Sequence, residues 1–174
     1  MEEYEVLYRS QWLMLCRRDT WEFAKRPQCD AAVGILAITD AQEIILVEQY
    51  RWPMKAFVME IPAGLVGDEE EFADESLTQT AARELEEETG YQAASMKLLL
   101  SSPTSAGMTS ETTHLYFATG LQQVSSGGGV EGEAIRVHKV KITDLRNWLQ
   151  VQQTAGKLID FKIHAALAAA QIAF

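Results

Sequence analysis

Apolar and polar positions alternate at the start of the chain, over Glu5 to Arg9 and again over Trp12 to Glu22, with the two-residue period of half-buried strands. The two segments predict an antiparallel N-terminal ribbon over residues 1 to 30. Ala31 to Thr39 and Ile44 to Arg51 are near-continuous apolar runs on either side of the polar turn Asp40-Ala41-Gln42, a pattern that predicts a hairpin of largely buried strands. Phe57 to Ile61 continues the sheet, and Pro62-Ala63-Gly64 ends it. An acidic loop leads into a helix from about Ser76 to Thr89, with Leu77, Ala81 and Leu85 on its buried face and Gly90 as its stop. Met96 to Ser101 and Thr112 to Thr119 read as strands joined by the turn-rich loop Ser102 to Met108. Ser125-Ser126-Gly127-Gly128-Gly129 reads as the most flexible stretch, a mobile loop over a site. Ile135 to Ile142 follows as a last strand, and two helices, Thr143 to Gln153 and Asp160 to Ile172, close the chain. No internal repeat is present.

Composition changes this picture in one place. The net charge of −10 is unevenly spread: residues 60 to 90 carry 11 of the 25 acidic residues, and Arg83 is their only base. The remainder of the chain is balanced, with no basic stripe to follow a nucleic-acid backbone, so a nucleic-acid polymer is not an expected partner. Cys16 and Cys29 are too few for a disulfide framework or a zinc site. They suit a reducing compartment. The start Met1-Glu2-Glu3-Tyr4 has no basic region followed by an apolar stretch, and no apolar run approaches 18 residues, so no membrane span is expected. The expected location is cytoplasmic.

Within the acidic segment, Arg83-Glu84-Leu85-Glu86-Glu87-Glu88-Thr89-Gly90-Tyr91 sets Glu84 and Glu88 one helical turn apart with Glu87 beside them. Like charges at that spacing cost a helix roughly 0.2–0.5 kcal/mol per pair. A hard divalent cation that neutralises them is the obvious reason to keep them together. Magnesium takes six oxygens at about 2.0–2.1 Å, so Glu84, Glu87, Glu88 and the carbonyl of Ala63 would form a partial oxygen shell. Arg83 would orient Glu84 or contact phosphate. His114, His138 and His164 share no ligand spacing with one another.

The same segment resembles the core of a Nudix box, whose pattern is G-x5-E-x7-R-E-U-x-E-E-x-G-U, with U a bulky apolar residue. Glu75 falls seven intervening residues before Arg83, as the pattern requires, whereas Glu69 stands where the glycine should be; the nearest glycines, Gly64 and Gly67, imply extra residues in the preceding loop. Beyond the box, the chain resembles the ADP-ribose pyrophosphatase branch of the Nudix hydrolases. Trp21-Glu22-x-x-Lys25-Arg26 looks like that branch's W-E-x-x-x-R strand, and Val47-Glu48-Gln49-Tyr50-Arg51 like its V-E-Q-[FY]-R. Glu60-Ile61-Pro62-Ala63-Gly64 looks like its E-x-P-A-G. Glu131-Gly132-Glu133-Ala134-Ile135-Arg136-Val137-His138 resembles its E-x-E-D-I-x-V, with Ala134 in place of an acid.

The resemblance implies an α/β/α Nudix sandwich around a mixed sheet, spanning residues 31 to 174, with the N-terminal ribbon as a dimerisation element. It implies magnesium, with manganese as a substitute, held by Ala63, Glu84, Glu87, Glu88 and Glu133. Glu131 is the candidate general base and Glu111 the other contender, beside Arg83 and Glu87 in the catalytic group. Trp21 would stack on the nucleobase, in the partner subunit's site of a homodimer. Arg51, Gly107 and Met108 would contact the rest of the substrate. The implied reaction is hydrolysis of the pyrophosphate bond of ADP-ribose or another nucleoside diphosphate sugar to a nucleoside monophosphate and a sugar phosphate. Ser105-Ala106-Gly107 stands where ADP-ribose specialists carry S-P-G, so the specific sugar stays open. The alternatives are a Nudix hydrolase of dinucleoside polyphosphates, NADH or nucleoside triphosphates, and a nucleotide-sugar sensor without turnover.

Overall fold

The computed structural model describes residues 4–67, 70–129 and 134–174. The N-terminal segment folds as three antiparallel strands, β1 (Glu5–Arg9), β2 (Met14–Arg18) and β3 (Trp21–Lys25). The expected single strand Trp12 to Glu22 is therefore two. Asp19, in the left-handed region at φ 54°, turns the chain between Arg18 and Trp21. The alternation continues through this short turn, which is why the periodicity alone reads as one strand.

The remaining strands are β4 (Ala31–Ile38), β5 (Glu43–Arg51), β6 (Ala56–Glu60), β7 (Ala63–Leu65), β8 (Tyr91–Pro103), β9 (Thr112–Gln123), β10 (Arg136–Lys141) and β11 (Leu158–Ile159). They form one mixed sheet in the order β11-β6-β5-β4-β9-β8, with β10 added on β5 and β7 on β4. The pairs β4–β9 and β6–β11 are parallel and the others antiparallel. The expected stop at Pro62-Ala63-Gly64 is instead the start of β7, because the chain turns back and Gly64 and Leu65 pair with Val33 and Ala32. Strand β8 runs beyond Met96 to Ser101 at both ends; its polar flanks, Gln92 and Ser102 among them, face solvent and read as loop.

Three α-helices cover the sheet among the described residues: α1 (Leu77–Thr89), α2 (Leu145–Thr154) and α3 (Phe161–Ala169). Helix α1 lays Ala81 and Leu85 on Val33, Ile35, Ile45 and Tyr116. Helices α2 and α3 lay Leu145, Leu149, Ile163 and Leu167 on Leu36, Ile44, Leu46 and Met59. Since neighbouring side chains on a strand point to opposite faces, the apolar run Ile44-Ile45-Leu46 serves both layers.

Helix α1 has well-defined ends. Ser76 caps its N-terminus in a reciprocal box with Gln79. Gly90 ends it at φ 76°, a conformation that favours glycine, and donates its N–H to the Glu86 carbonyl at 2.7 Å. The glycine-rich stretch after β9, expected to be a mobile loop, is fastened to this end. Gly128 N–H donates to the Glu88 carbonyl at 2.9 Å and Gly129 N–H to that of Glu87 at 3.0 Å, satisfying carbonyls the helix leaves open. The close approach is made at Gly127, where a Cβ would stand 2.3 Å from the Thr89 carbonyl carbon.

Candidate active site

The motif residues converge where β6, β7 and α1 meet. Gly64 lies so close to α1 that a Cβ there would stand 2.0 Å from Glu84 Cδ. The absent side chain is therefore what seats the Glu84 carboxylate on the β7 backbone. Glu88, buried on the same helix face, accepts the Ala63 N–H at 3.0 Å through Oε2. Thus β7 and α1 are tied through the residues expected to supply oxygens.

Arg83 sits among these carboxylates. Its Nη1 lies 3.0 Å from Glu84 Oε1 and 2.8 Å from Glu87 Oε2, its Nε lies 3.2 Å from Glu75 Oε2, and its guanidinium covers the Phe72 ring at 4.2 Å. Burial works against the charge of Arg83, but the attraction of Glu84, the hydrogen bond to Glu75 and the charge of Glu87 outweigh it, holding the group charged above its ordinary pKa. One cation serves three carboxylates, with Glu88 beside them, so the cluster stays net negative. All of its donors besides Arg83 are oxygens, the chemistry a hard divalent cation selects. As the side chains stand, no three His, Cys, Asp or Glu side chains among the described residues close on one point at metal-binding distance; Arg83 and the Ala63 N–H occupy the carboxylates instead. The donor set fits a divalent cation, and Glu84, Glu87, Glu88 and the Ala63 carbonyl are the groups that would hold it.

This cluster opens on a cavity of about 760 Å³ lined by the expected residues Arg51, Ala63, Arg83, Glu84, Glu87 and Glu111. Arg51 makes a bidentate pair with buried Glu60, Nε to Oε1 at 2.6 Å and Nη2 to Oε2 at 3.0 Å. This hydrogen bonding raises its pKa against the opposing effect of burial. Glu111 is held by Arg26, Nε to Oε2 at 3.1 Å. Its loop is anchored to the N-terminal sheet, because Ala24 N–H donates to the Met108 carbonyl at 2.8 Å.

Trp21, Gly107 and Met108 do not line the cavity. Trp21 is 65% exposed on β3, and Gly107 and Met108 are exposed. Glu131 and Glu133 lie outside the described residues. The cavity also takes residues that no motif announces: Glu71 and Phe72 from the loop before α1, and Asp160 and Lys162 from the start of α3. A composition signal existed for Glu71, in the acidic run, but none for Asp160 or Lys162.

A family model, the NUDIX domain, matches residues 30–167 of the chain. The chain belongs to the Nudix family. It is 44% identical over 100 residues to the methanol dehydrogenase activator of Bacillus methanolicus, covering 58% of this chain and 51% of that protein. It is 37% identical over 126 residues to the ADP-ribose pyrophosphatase of Bacillus subtilis strain 168, covering 71% of this chain and 63% of the other. The chain thus spans between half and two thirds of the length of these relatives. A crystal structure described as an ADP compounds hydrolase superposes with a TM-score of 0.65 at 22% identity, covering 83% of this chain and 80% of that one. That likeness establishes the Nudix fold, with the mixed sheet between α1 on one side and α2 and α3 on the other. The Nudix box occupies α1, and its arginine is the one at the centre of the carboxylates.

Proposed function

We propose that this Nudix protein hydrolyses the pyrophosphate bond of ADP-ribose or a related nucleoside diphosphate sugar, using magnesium, with manganese as a substitute, and releasing a nucleoside monophosphate and a sugar phosphate. The observation that carries the reading is the net-negative oxygen cluster of Glu84, Glu87 and Glu88, seated on the Ala63–Gly64 backbone at the edge of a cavity large enough for a nucleotide sugar. Its similarity to ADP-ribose pyrophosphatases supports the substrate class.

A divalent cation, when bound, supplies charge neutralisation at the phosphates and makes a water more acidic. The chain's own residues do the rest. Arg83 holds Glu84 and Glu87 in register along one helix face, and Glu88 fixes the Ala63 peptide so that its carbonyl keeps one orientation. Glu111, oriented by Arg26 in the cavity wall, is one acceptor for the proton of the attacking water. Glu131 is the other, and Glu133 a further metal ligand, on the strength of the family resemblance. Glu131→Gln, Glu133→Gln and Glu111→Gln, each assayed for rate against magnesium, separate the roles. Loss of the base lowers the maximal rate by roughly 10²–10⁴-fold, whereas loss of a ligand raises the magnesium requirement.

The assay is a panel of ADP-ribose, ADP-glucose, UDP-glucose, NADH, a dinucleoside polyphosphate and nucleoside triphosphates, read by phosphate release after phosphatase coupling. Magnesium-dependent release from the sugar nucleotides is expected. Release from the triphosphates alone would overturn the substrate class.

The N-terminal sheet is proposed as the dimerisation element of a cytoplasmic homodimer. Tyr8, Trp12 and Trp21 are exposed on or beside its strands, and a small sheet with bare aromatics gains by pairing across a two-fold axis. Cys16 and Cys29, both buried and in no disulfide, suit a reducing compartment. Light scattering at micromolar concentration is expected to give about twice the 19.4 kDa chain mass; a fully active monomer would remove both the dimer and a cross-subunit role for Trp21.

A further inference from the structure

The cavity has a second polar wall that the metal chemistry does not use. Asp160 caps the N-terminus of α3, its Oδ1 accepting the Lys162 N–H at 2.7 Å while its Oδ2 accepts Lys162 Nζ, also at 2.7 Å. Lys162 Nζ stands 3.9 Å from Glu60 Oε2, too far for a hydrogen bond. Glu60 already has both oxygens on Arg51, so it does not need Lys162 for neutralisation. The side chains of Lys162 and Asp160 are each 17% exposed, and both line the cavity with Arg51 and Glu60. An ammonium has three N–H donors. Lys162 Nζ gives one of them to Asp160 Oδ2, with the Phe161 ring centroid 5.6 Å away.

The sequence Arg51, Glu60, Lys162, Asp160 alternates in sign and balances. It therefore offers donors and acceptors with no net charge, in contrast to the net-negative Arg83 cluster. A wall of that kind suits a neutral group rich in hydroxyls, which can accept from Lys162 and donate to Asp160 at once.

We infer that Lys162 and Asp160 form a subsite for the polyhydroxyl moiety of the substrate, with Lys162 a specificity-determining residue for nucleotides that carry a sugar beyond the diphosphate. The inference rests on the proposed hydrolysis of nucleoside diphosphate sugars and adds to it where the sugar is read. A lysine that loses its hydroxyl partner is left with an unpaired donor in a half-closed cavity, and a site built to bond a hydroxyl discriminates strongly against analogues that lack it.

The test compares wild type, Lys162→Met and Lys162→Arg on ADP-ribose, ADP-glucose and the β-methyl ester of ADP, which keeps the diphosphate linkage and has no sugar beyond it. In Lys162→Met the ratio of kcat/KM for each sugar nucleotide to that for the methyl ester is expected to fall about tenfold, mainly through KM, and Lys162→Arg is expected to restore part of it. An equal fall on all three substrates, or none on any, would overturn the subsite. Calorimetric binding of ADP-ribose and of ADP, in chelator without divalent cation, separates this inference from the hydrolysis itself. If wild type hydrolyses none of the three, the proposed reaction fails, and the subsite still stands or falls on whether Lys162→Met weakens ADP-ribose binding more than ADP binding.

Discussion

The two faces of the sheet each hold a knot of charges, and these two knots are inverted copies of each other. On the α1 face a single cation, Arg83, meets the carboxylates of Glu75, Glu84 and Glu87. On the α2 and α3 face a single buried carboxylate, Glu48, meets Lys157 at 2.9 Å, His138 at 2.8 Å and Arg136 at 3.9 Å. The second knot is closed: burial opposes the charge on Glu48, but its hydrogen bonds from Lys157 and His138 outweigh that cost and draw its pKa below the ordinary carboxylate value. Its work is to tie β5 to β10 and to the turn before β11. The first knot is unbalanced and borders the large cavity. A charge that remains after local pairing, next to an opening, separates a site from a structural tie better than the presence of buried charge does.

Breaking the first knot should cost activity and not stability. Glu84→Gln and Glu88→Gln are each expected to lower turnover at least about a hundredfold, while melting temperature holds or rises, since removing a like charge relieves roughly 0.2–0.5 kcal/mol of helix repulsion. Turnover within threefold of wild type at unchanged magnesium would remove these residues from the cation site.

Gly64→Ala sharpens the same point without touching a charge. The added Cβ would fall 2.0 Å from Glu84 Cδ, so the carboxylate must leave the β7 backbone. Turnover should drop by about tenfold or more if the seat of Glu84 matters, since displacements near 1 Å can cost about 10²-fold; circular dichroism should show the fold retained.

Breaking the second knot should have the opposite outcome. Glu48→Gln leaves Lys157 and His138 facing a neutral amide, and is expected to cost about 2–3 kcal/mol in denaturant unfolding, with turnover per folded molecule within twofold. Loss of activity without loss of stability would mean that the two faces are coupled.

The smallest effect is the acid dependence of that difference. Glu48 has a folded pKa below its ordinary 4.5, so the stability its charge supplies is complete above that value and lost as pH falls through the lowered one. The gap between wild type and Glu48→Gln should therefore close as pH falls below 4.5. A gap that widened in acid would reverse the assignment.

Much of this site is local in the chain, and that is why it could be read from the sequence. Arg83 to Gly90 lies on one helix whose cap and stop are side-chain and backbone chemistry within a few residues, and Ala63 and Gly64 belong to a short motif of their own. What could not be read lies on elements that meet only in the folded chain. Glu60 faces Lys162 across about a hundred residues because β11 adds to β6 in parallel, and nothing in the apolar pattern of Phe161 to Ala169 distinguishes a lysine in a cavity wall from one on a surface. The glycines after β9 differ again. Composition records their freedom in the unfolded chain, while their hydrogen bonds to Glu87 and Glu88 come from tertiary contact.

The closed knot also has an optical consequence. Trp12, Trp21 and Trp52 are between 65% and 79% exposed, whereas Trp148 on α2 is half-buried with its ring 5.2 Å from that of His138. Three indoles should emit as solvated chromophores, and the fourth should contribute a bluer component quenched by contact with the neighbouring imidazole ring. The intrinsic fluorescence of the unlabelled protein thus carries a reporter on the face away from the cavity, and His138→Phe would raise the yield of its bluer component.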